Sequence, residues 1–237
     1  MKGNVLRLSI LLKRSITFKN IQLSIADILN STMKNNDFLN ELHTNTRMKL
    51  YSYNCLTPIE NEGVYKIRNN YQFEVKSLDK LFLENLKKEL IKNNNDLFIV
   101  RRADILEKDL TDLQIDSIYT ITPYVLVGEN KHTKFIKTED DKRLLRERII
   151  KNTNKKYNII NNSKIEAFDF MENIITLNKY PIAFDYKGGK IVGNKAKIFI
   201  KKDEMSQKMA KMLLFTGILE KNSLSFGCCI CGKGEII

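Results

Sequence analysis

Two lengths of this chain spell out the same order of elements, and that order narrows the fold more than any other feature. In the first, residues 4–13 alternate, with Leu6, Leu8, Ile10 and Leu12 on one face and Arg7 and Ser9 among those on the other. That is the period of a half-buried strand. "IQLSIADILNSTMK" then sets Ile25, Ile28, Leu29 and Met33 at helical spacing. "MKLYSYNCL" and "YQFEV" read as strands, the latter with Tyr71, Phe73 and Val75 in alternation. Ser77 is placed to cap a helix over "LDKLFLENLKKELIK", acidic at its start and basic at its finish, and "DLFIVRRADIL" is a strand again. The order β-α-β-β-α-β is the ferredoxin-like unit.

The second length repeats it. "IDSIYTITPYVLVGEN" is strand-rich, with Pro123 marking a bulge or an edge. Thr138 to Asp141 resembles a capping box ahead of "DDKRLLRERIIKNT". A strand near Ala167–Phe170 and another in "KAKIFIK", where Ala196, Ile198 and Ile200 share a face, come next. Asp203 is the expected N-cap of "EMSQKMAKMLLFTG", whose Met205, Met209, Met212 and Leu213 form an apolar stripe that Gly217 ends. "SFGCCICG" supplies the last strand. The expectation is an α+β protein of two tandem ferredoxin-like domains, residues 1–112 and 113–237, joined near "EKDLTDLQ". The elements repeat, but no residue-level repeat accompanies them.

A length of 237 residues suits two ordinary domains, and a hydrophobic fraction of 43% is ample for their cores. No uncharged apolar run is long enough to span a membrane. The opening "MKGNVLRLSILLKRSITF" carries Arg7 inside its apolar stretch and has no small-residue cleavage site, so it is read as a first strand rather than a leader. The expected location is the cytoplasm. Forty Lys and Arg against 28 Asp and Glu leave a net charge of +12, which favours a polyanionic partner through counterion release. Runs such as "NNND", "KNTNKK" and "NKKYNIINNSK" match a genomic bias towards lysine and asparagine. Cys228, Cys229 and Cys231 in "CCIC" have neither metal-ligand spacing nor a companion histidine, so a buried strand is expected there and no metal or cofactor. There is no Walker loop, no Ser-His-Asp set and no carboxylate cluster suited to magnesium.

Four of the ten glycines fall in the final stretch, "TGILEKNSLSFGCCICGKG". Taken alone, Gly217 is a helix C-cap and Gly227 a strand bulge. The same loop exposes backbone amides beside Lys221, Asn222 and Ser223, groups that bind phosphate without reading bases. The two histidines are His43, in the polar "ELHTNTRMK", and His132, in the charged "GENKHTKF"; each taken alone reads as solvated. Tyr51 and Tyr53 share a strand face with Lys49, where burial and base stacking are both open readings.

These stretches together resemble the repeat-processing endoribonuclease family of CRISPR systems, in the RAMP superfamily. "TGILEKNSLSFG" is similar to its C-terminal glycine-rich signature, with Leu219 and Ser225 standing where the family has glycine. "KYPIAFDYKGGKIVGNKAKIFI" resembles the hairpin before it, and "FIVRRADILEK" and "TITPYVLVGENKHTKFI" its middle. "FLNELHTNTRMKLYSYNCL" resembles the segment that holds the catalytic histidine. The resemblance implies metal-independent cleavage of precursor guide RNA within the repeat, by attack of the 2′-hydroxyl, leaving 2′,3′-cyclic phosphate and 5′-hydroxyl ends. It makes His43 the general base or acid, Lys49 the stabiliser of the phosphorane and Arg47 a second cation. RNA contacts are expected at Gly217, Lys221, Asn222, Ser223 and Gly227, on the basic helix at Arg143 and Arg146, and at Lys187 and Lys190 flanking the "YKGGK" turn. Repeat RNA, effector-complex subunits and a second copy of the chain are the implied partners. Many relatives add a tyrosine from the first helix, and none stands in "SIADILNSTMK". A non-catalytic RAMP subunit that binds guide RNA is the alternative.

Overall fold

The computed structural model describes residues 1–45, 48–128, 132–186 and 188–232. Its first half runs β1 (Lys2–Leu12), β2 (Ile16–Thr17), α1 (Phe18–Met33), α2 (Asp37–Thr44), β3 (Tyr51–Tyr53), β4 (Val64–Tyr65), β5 (Asn70–Ser77), α3 (Lys80–Lys92) and β6 (Phe98–Asp109). The second half runs β7 (Ser117–Thr120), β8 (Leu126–Val127), β9 (Thr133–Lys134), α4 (Glu139–Asn161), β10 (Met171–Thr176), β11 (Ile182–Tyr186), β12 (Gly189–Gly193), β13 (Ala196–Ile200), α5 (Glu204–Thr216) and β14 (Cys229–Cys231).

Each half holds a four-stranded antiparallel sheet, ordered β3-β5-β1-β6 and β10-β13-β7-β14. Numbered within its own half, each sheet reads 2-3-1-4, so the expected ferredoxin-like unit is present twice. Leu6, Leu8, Ile10 and Leu12 are buried along β1 against Ile25 and Leu29 of α1 and Leu83 and Leu86 of α3. Full burial of each such side chain stabilises by about 1.5–3 kcal/mol. In the second half Ile118, Ile198, Ile200, Cys229 and Cys231 face Leu145 and Ile149 of α4 and Met209, Met212 and Leu213 of α5. The cysteines are free thiols, and among the described residues no group of His, Cys, Asp or Glu is arranged to hold a metal ion. No helix of the described residues is long and apolar enough to cross a membrane.

Helix α5 joins the halves. The Phe215 ring lies so close to Gly3 of β1 that a Cβ there would stand 2.4 Å from it. The Ser52 hydroxyl of β3 donates to Phe215 O at 3.0 Å, and Val5 of β1 belongs to the second core.

Local signals held in several places. Thr138 and Asp141 form the capping box of α4, and Asp203 caps α5 through Ser206 N–H. Tyr186 pairs with Gly189 at the turn end of the β11–β12 hairpin, with Gly188 at φ 77°. Other boundaries moved. Asp79 rather than Ser77 caps α3, accepting from Phe82 N–H, while Ser77 ends β5. The strand expected near Ala167–Phe170 begins at Met171, because Ala167 takes φ 51° and breaks the extended chain. His43 lies in the last turn of a helix, α2, rather than in a loop; Asn36 starts that helix by accepting from Leu39 N–H.

Candidate functional site

A cleft of about 610 Å³ runs between α1 and α2 of the first half and the turn after α5 of the second. His43 and Lys49 line it together with Lys221, Ser223 and Tyr186, with Asp27 and Ser31 of α1 and with Lys34 just past that helix. Four of the residues singled out from sequence, His43, Lys49, Lys221 and Ser223, therefore share one cavity although they lie far apart in the chain.

His43 is half-buried, and its pKa is lowered from the ordinary value of 6.5. Burial is the larger cause, followed by the positive charges of Lys49 and Lys34. At neutral pH the imidazole is thus held in its neutral, proton-accepting form. Lys49 is engaged with the helix that carries His43: its Nζ donates to Leu42 O, to Asn45 O at 2.8 Å and to Asn45 Oδ1 at 3.0 Å. A cation on the terminal carbonyls of α2 favours that helix end and fixes the turn bearing His43. A second, mostly apolar cavity of about 220 Å³ opens behind the same two residues, lined by Met33, Leu42, Tyr51 and Phe82. Arg47 and Lys187 lie outside the described residues.

The loop from Gly217 to Gly227 keeps left-handed backbone at five positions: Gly217 (φ 69°), Leu219 (53°), Lys221 (60°), Ser225 (64°) and Gly227 (69°). Leu219 and Ser225, which replace glycines, thus hold the glycine-like conformation that costs an ordinary side chain about 1 kcal/mol or more. Contacts on the inner side of the loop hold it there. Gly227 N–H donates to Pro123 O at 2.8 Å and Ile218 N–H to Gly227 O at 2.9 Å. The Asn222 amide donates to Ile218 O and Phe226 O. Behind them sits Lys156 of α4, fully buried, donating to Thr216 O (3.1 Å), Gly217 O (2.6 Å) and Asn222 Oδ1 (2.8 Å). The first half grips the other side: Gln22 donates to Leu224 O, Tyr53 OH to Ser223 O, and Ser225 Oγ to Tyr53 O.

The site residues therefore differ in what they offer. Lys221 and Ser223 are half-buried and line the cleft. Asn222 is buried and its amide bonds within the loop. Gly217 and Gly227 leave no room inward: a Cβ on Gly217 would meet Asn222 Nδ2 at 2.7 Å, and one on Gly227 would meet Ile218 O at 2.2 Å. Arg143 is exposed and pairs with Asp140 at 3.2 Å. Arg146 braces α4 to the start of β10, bonding Asp169 at 2.9 and 2.7 Å and the Met171 carbonyl. Lys190 is exposed on β12, across from Asp185, which itself pairs with Lys19 of α1. His132 is exposed beside β9. Tyr51 and Tyr53 are buried, Tyr51 stacked on Phe82 with ring centroids 4.9 Å apart, so neither is open to a base.

Lys34, Tyr186 and Lys156 escaped the sequence reading. Tyr186 belongs to the hairpin, whose Phe184 packs edge-on against Phe226 of the loop at 5.2 Å; the Lys221 ammonium lies 5.9 Å from the Tyr186 ring. The hairpin's own pattern gives no sign that its end reaches the cleft. Lys156 lay within a stretch that looked like compositional bias.

A family model described as CRISPR associated protein Cas6, C-terminal, matches residues 105–231. Over nearly its whole length the chain is also similar to solved structures. One is a CRISPR associated protein Cas6, at TM-score 0.70 and 19% identity, covering 98% of this chain and 100% of that one. Another is a RAMP protein binding different RNA substrates, at TM-score 0.72 and 14% identity, covering 97% and 100%. A third is the product of a Cas6-related gene from Pyrococcus furiosus, at TM-score 0.70 and 17% identity, covering 98% and 100%. At these identities the likeness is one of fold. No curated protein matches the chain.

Proposed function

The chain belongs to the CRISPR-associated Cas6 family, and from that premise we propose that it binds CRISPR repeat RNA in the cleft and cuts precursor guide RNA once within each repeat. The observation that carries this reading is that His43, its pKa lowered by burial and by Lys49 and Lys34, lines one cleft with those two lysines and with Lys221 and Ser223 of the loop. Neutral His43 takes the proton of the 2′-hydroxyl as its oxygen bonds to phosphorus. The bond from phosphorus to the 5′-oxygen breaks, and that oxygen takes a proton from solvent water, leaving 2′,3′-cyclic phosphate and 5′-hydroxyl ends. Lys34, Lys49 and Lys221 supply positive charge to the crowded phosphorane. Lys221 and Ser223 bind the RNA backbone, Arg143 and Lys190 extend the contact outside the cleft, and no metal takes part. Tyr186 stands where it can serve the role that relatives give to a first-helix tyrosine.

A second reading is an RNA-carrying subunit without catalysis. It draws on Lys49, whose three donors are already engaged by α2 and Asn45. One assay separates the two: an end-labelled repeat RNA in EDTA, with wild type, His43→Ala, and a 2′-deoxy substitution at the cut. A single wild-type cut that both changes abolish, with gel-shift binding intact, supports the nuclease. Tight binding with no cut supports the carrier, and a cut by His43→Ala equal to wild type removes His43 from the chemistry.

A further inference from the structure

The buried amine of Lys156 has no part in the chemistry proposed above, yet it sits at the root of the loop. From α4 its Nζ reaches Thr216 O at 3.1 Å, Gly217 O at 2.6 Å and Asn222 Oδ1 at 2.8 Å, with none of the residue open to solvent. Three acceptors converge on it, and an ammonium has three N–H groups to offer. The neutral amine has two, so one buried oxygen is then left short. The bonded groups span the loop: Thr216 ends α5, Gly217 follows it, and Asn222 lies between Lys221 and Ser223. Asn222 in turn donates to Ile218 O and Phe226 O, one on each limb. The pull of Lys156 on Asn222 therefore acts on the two residues beside it, and both line the cleft.

We infer that Lys156 is a positioning residue for RNA: as an ammonium it gathers Thr216 O, Gly217 O and Asn222 Oδ1, holds Lys221 and Ser223 in place for the phosphate, and takes up a proton when RNA binds. This rests on the RNA-binding reading of the cleft. Burial is the largest influence on the free protein, bringing the Lys156 pKa down to about 7, while Cys229 of β14 and Glu220 of the loop pull it upward. Glu220 is itself answered by Arg148 of α4 and by Lys221, and Lys76 of β5 donates to Cys229 O at 3.4 Å. α5 presents the Thr216 carbonyl. Near neutral pH the amine is divided between its two forms, and an anion brought to Lys221 and Ser223 favours the charged one. By linkage, RNA affinity is highest at low pH, where Lys156 is charged with and without RNA, and falls as pH rises through about 7. A lysine that served the fold alone would leave no such slope.

The test is titration calorimetry with a repeat RNA carrying a 2′-deoxy sugar at the cut, so that binding is read without cleavage. The protein carries His43→Ala, which removes the titration of His43, and is compared with the same protein bearing Lys156→Met; circular dichroism checks the fold of each. For a bound phosphate that favours the ammonium tenfold, affinity with Lys156 present should fall about five- to tenfold from about pH 6 to about pH 8.5. At about pH 7.5 binding should take up about half a proton, read from the heats in two buffers of different ionisation enthalpy. With Lys156→Met the slope and the proton uptake should both be lost. A flat affinity and no proton uptake with Lys156 present overturns the inference, and so does an undiminished slope in Lys156→Met. Should Lys156→Met fail to fold, the slope and uptake with Lys156 present decide alone. If the protein binds no RNA at any pH, it is the reading of the cleft that falls.

Discussion

Replacing Lys156 by methionine sets two opposed effects against each other, and the contacts of the ammonium give their sizes. Methionine leaves Thr216 O, Gly217 O and Asn222 Oδ1 without the Lys156 amine, which when neutral shares two N–H donors among the three. Each buried oxygen that finds no other partner costs about 1–3 kcal/mol. Against this, burial lowers the Lys156 pKa from 10.5 to about 7, because a dry interior disfavours the charged amine; Cys229 and Glu220 push the other way. At about pH 8 the wild type must release a proton on folding that the unfolded chain keeps, at a cost of about 3 kcal/mol. The net expectation is a loss of a few kcal/mol for Lys156→Met. The pH dependence isolates the cause more sharply. The folded pKa lies below the unfolded one, so the folded state binds fewer protons between pH 7 and 10.5. Stability from this group therefore rises with pH across that window, and below it both states carry the proton and the contribution is flat. Denaturant unfolding of wild type and variant at about pH 7 and about pH 9 should show the wild type gaining about 2–3 kcal/mol on the variant. Parallel stability curves across that range would refute the assignment of a buried, depressed lysine behind the loop.

Gly227→Ala should lower stability by about 3 kcal/mol or more, seen as a drop in melting temperature, because the added methyl meets Ile218 O at 2.2 Å on a backbone at φ 69°. The acid limb of the single-turnover cleavage rate should lie below pH 6.5, and Lys34→Gln should move it upward, since removing that charge lets the His43 pKa rise. A limb that stays put in Lys34→Gln would remove Lys34 from the electrostatics of the base. Arg146→Ala should destabilise the fold by about 1–3 kcal/mol through loss of the Asp169 pair, read by denaturant melts. Arg143→Ala should leave melting unchanged and reduce the salt slope of RNA binding by about one.

Where burial alternated cleanly, the sequence announced the structure. β1, β13 and the stripe of α5 each carry one apolar face, and the caps at Thr138 and Asp203 act within three residues of themselves. Helix α2 was missed because its eight residues bury only Leu39, too little to establish a period. β10 was displaced because a register shift between Met171 and Asn173 spoils its alternation. The clearest miss is the end of α4, where asparagine and lysine looked like compositional noise. Asn154 bonds Phe168 O, Asn158 bonds Ile165 O, and Lys156 bonds the loop. Polar side chains that reach buried carbonyls on other segments leave no periodic trace, since their partners are distant in sequence. For the same reason the cleft was legible in its residues but not in its walls. His43 and Lys221 could each be named, but the packing that brings them together runs through α5 and the hairpin.

The loop after α5 owes its shape to Gln22 and Tyr53 from one half and Lys156 from the other as well as to its own glycines. It is therefore not a portable cassette: grafted into a foreign scaffold, the same residues would have nothing to hold Leu219, Lys221 and Ser225 in their left-handed states. During synthesis, the wall that carries His43 emerges long before the wall that carries Lys221. A nascent chain thus displays half a cleft until the loop after α5 has been made.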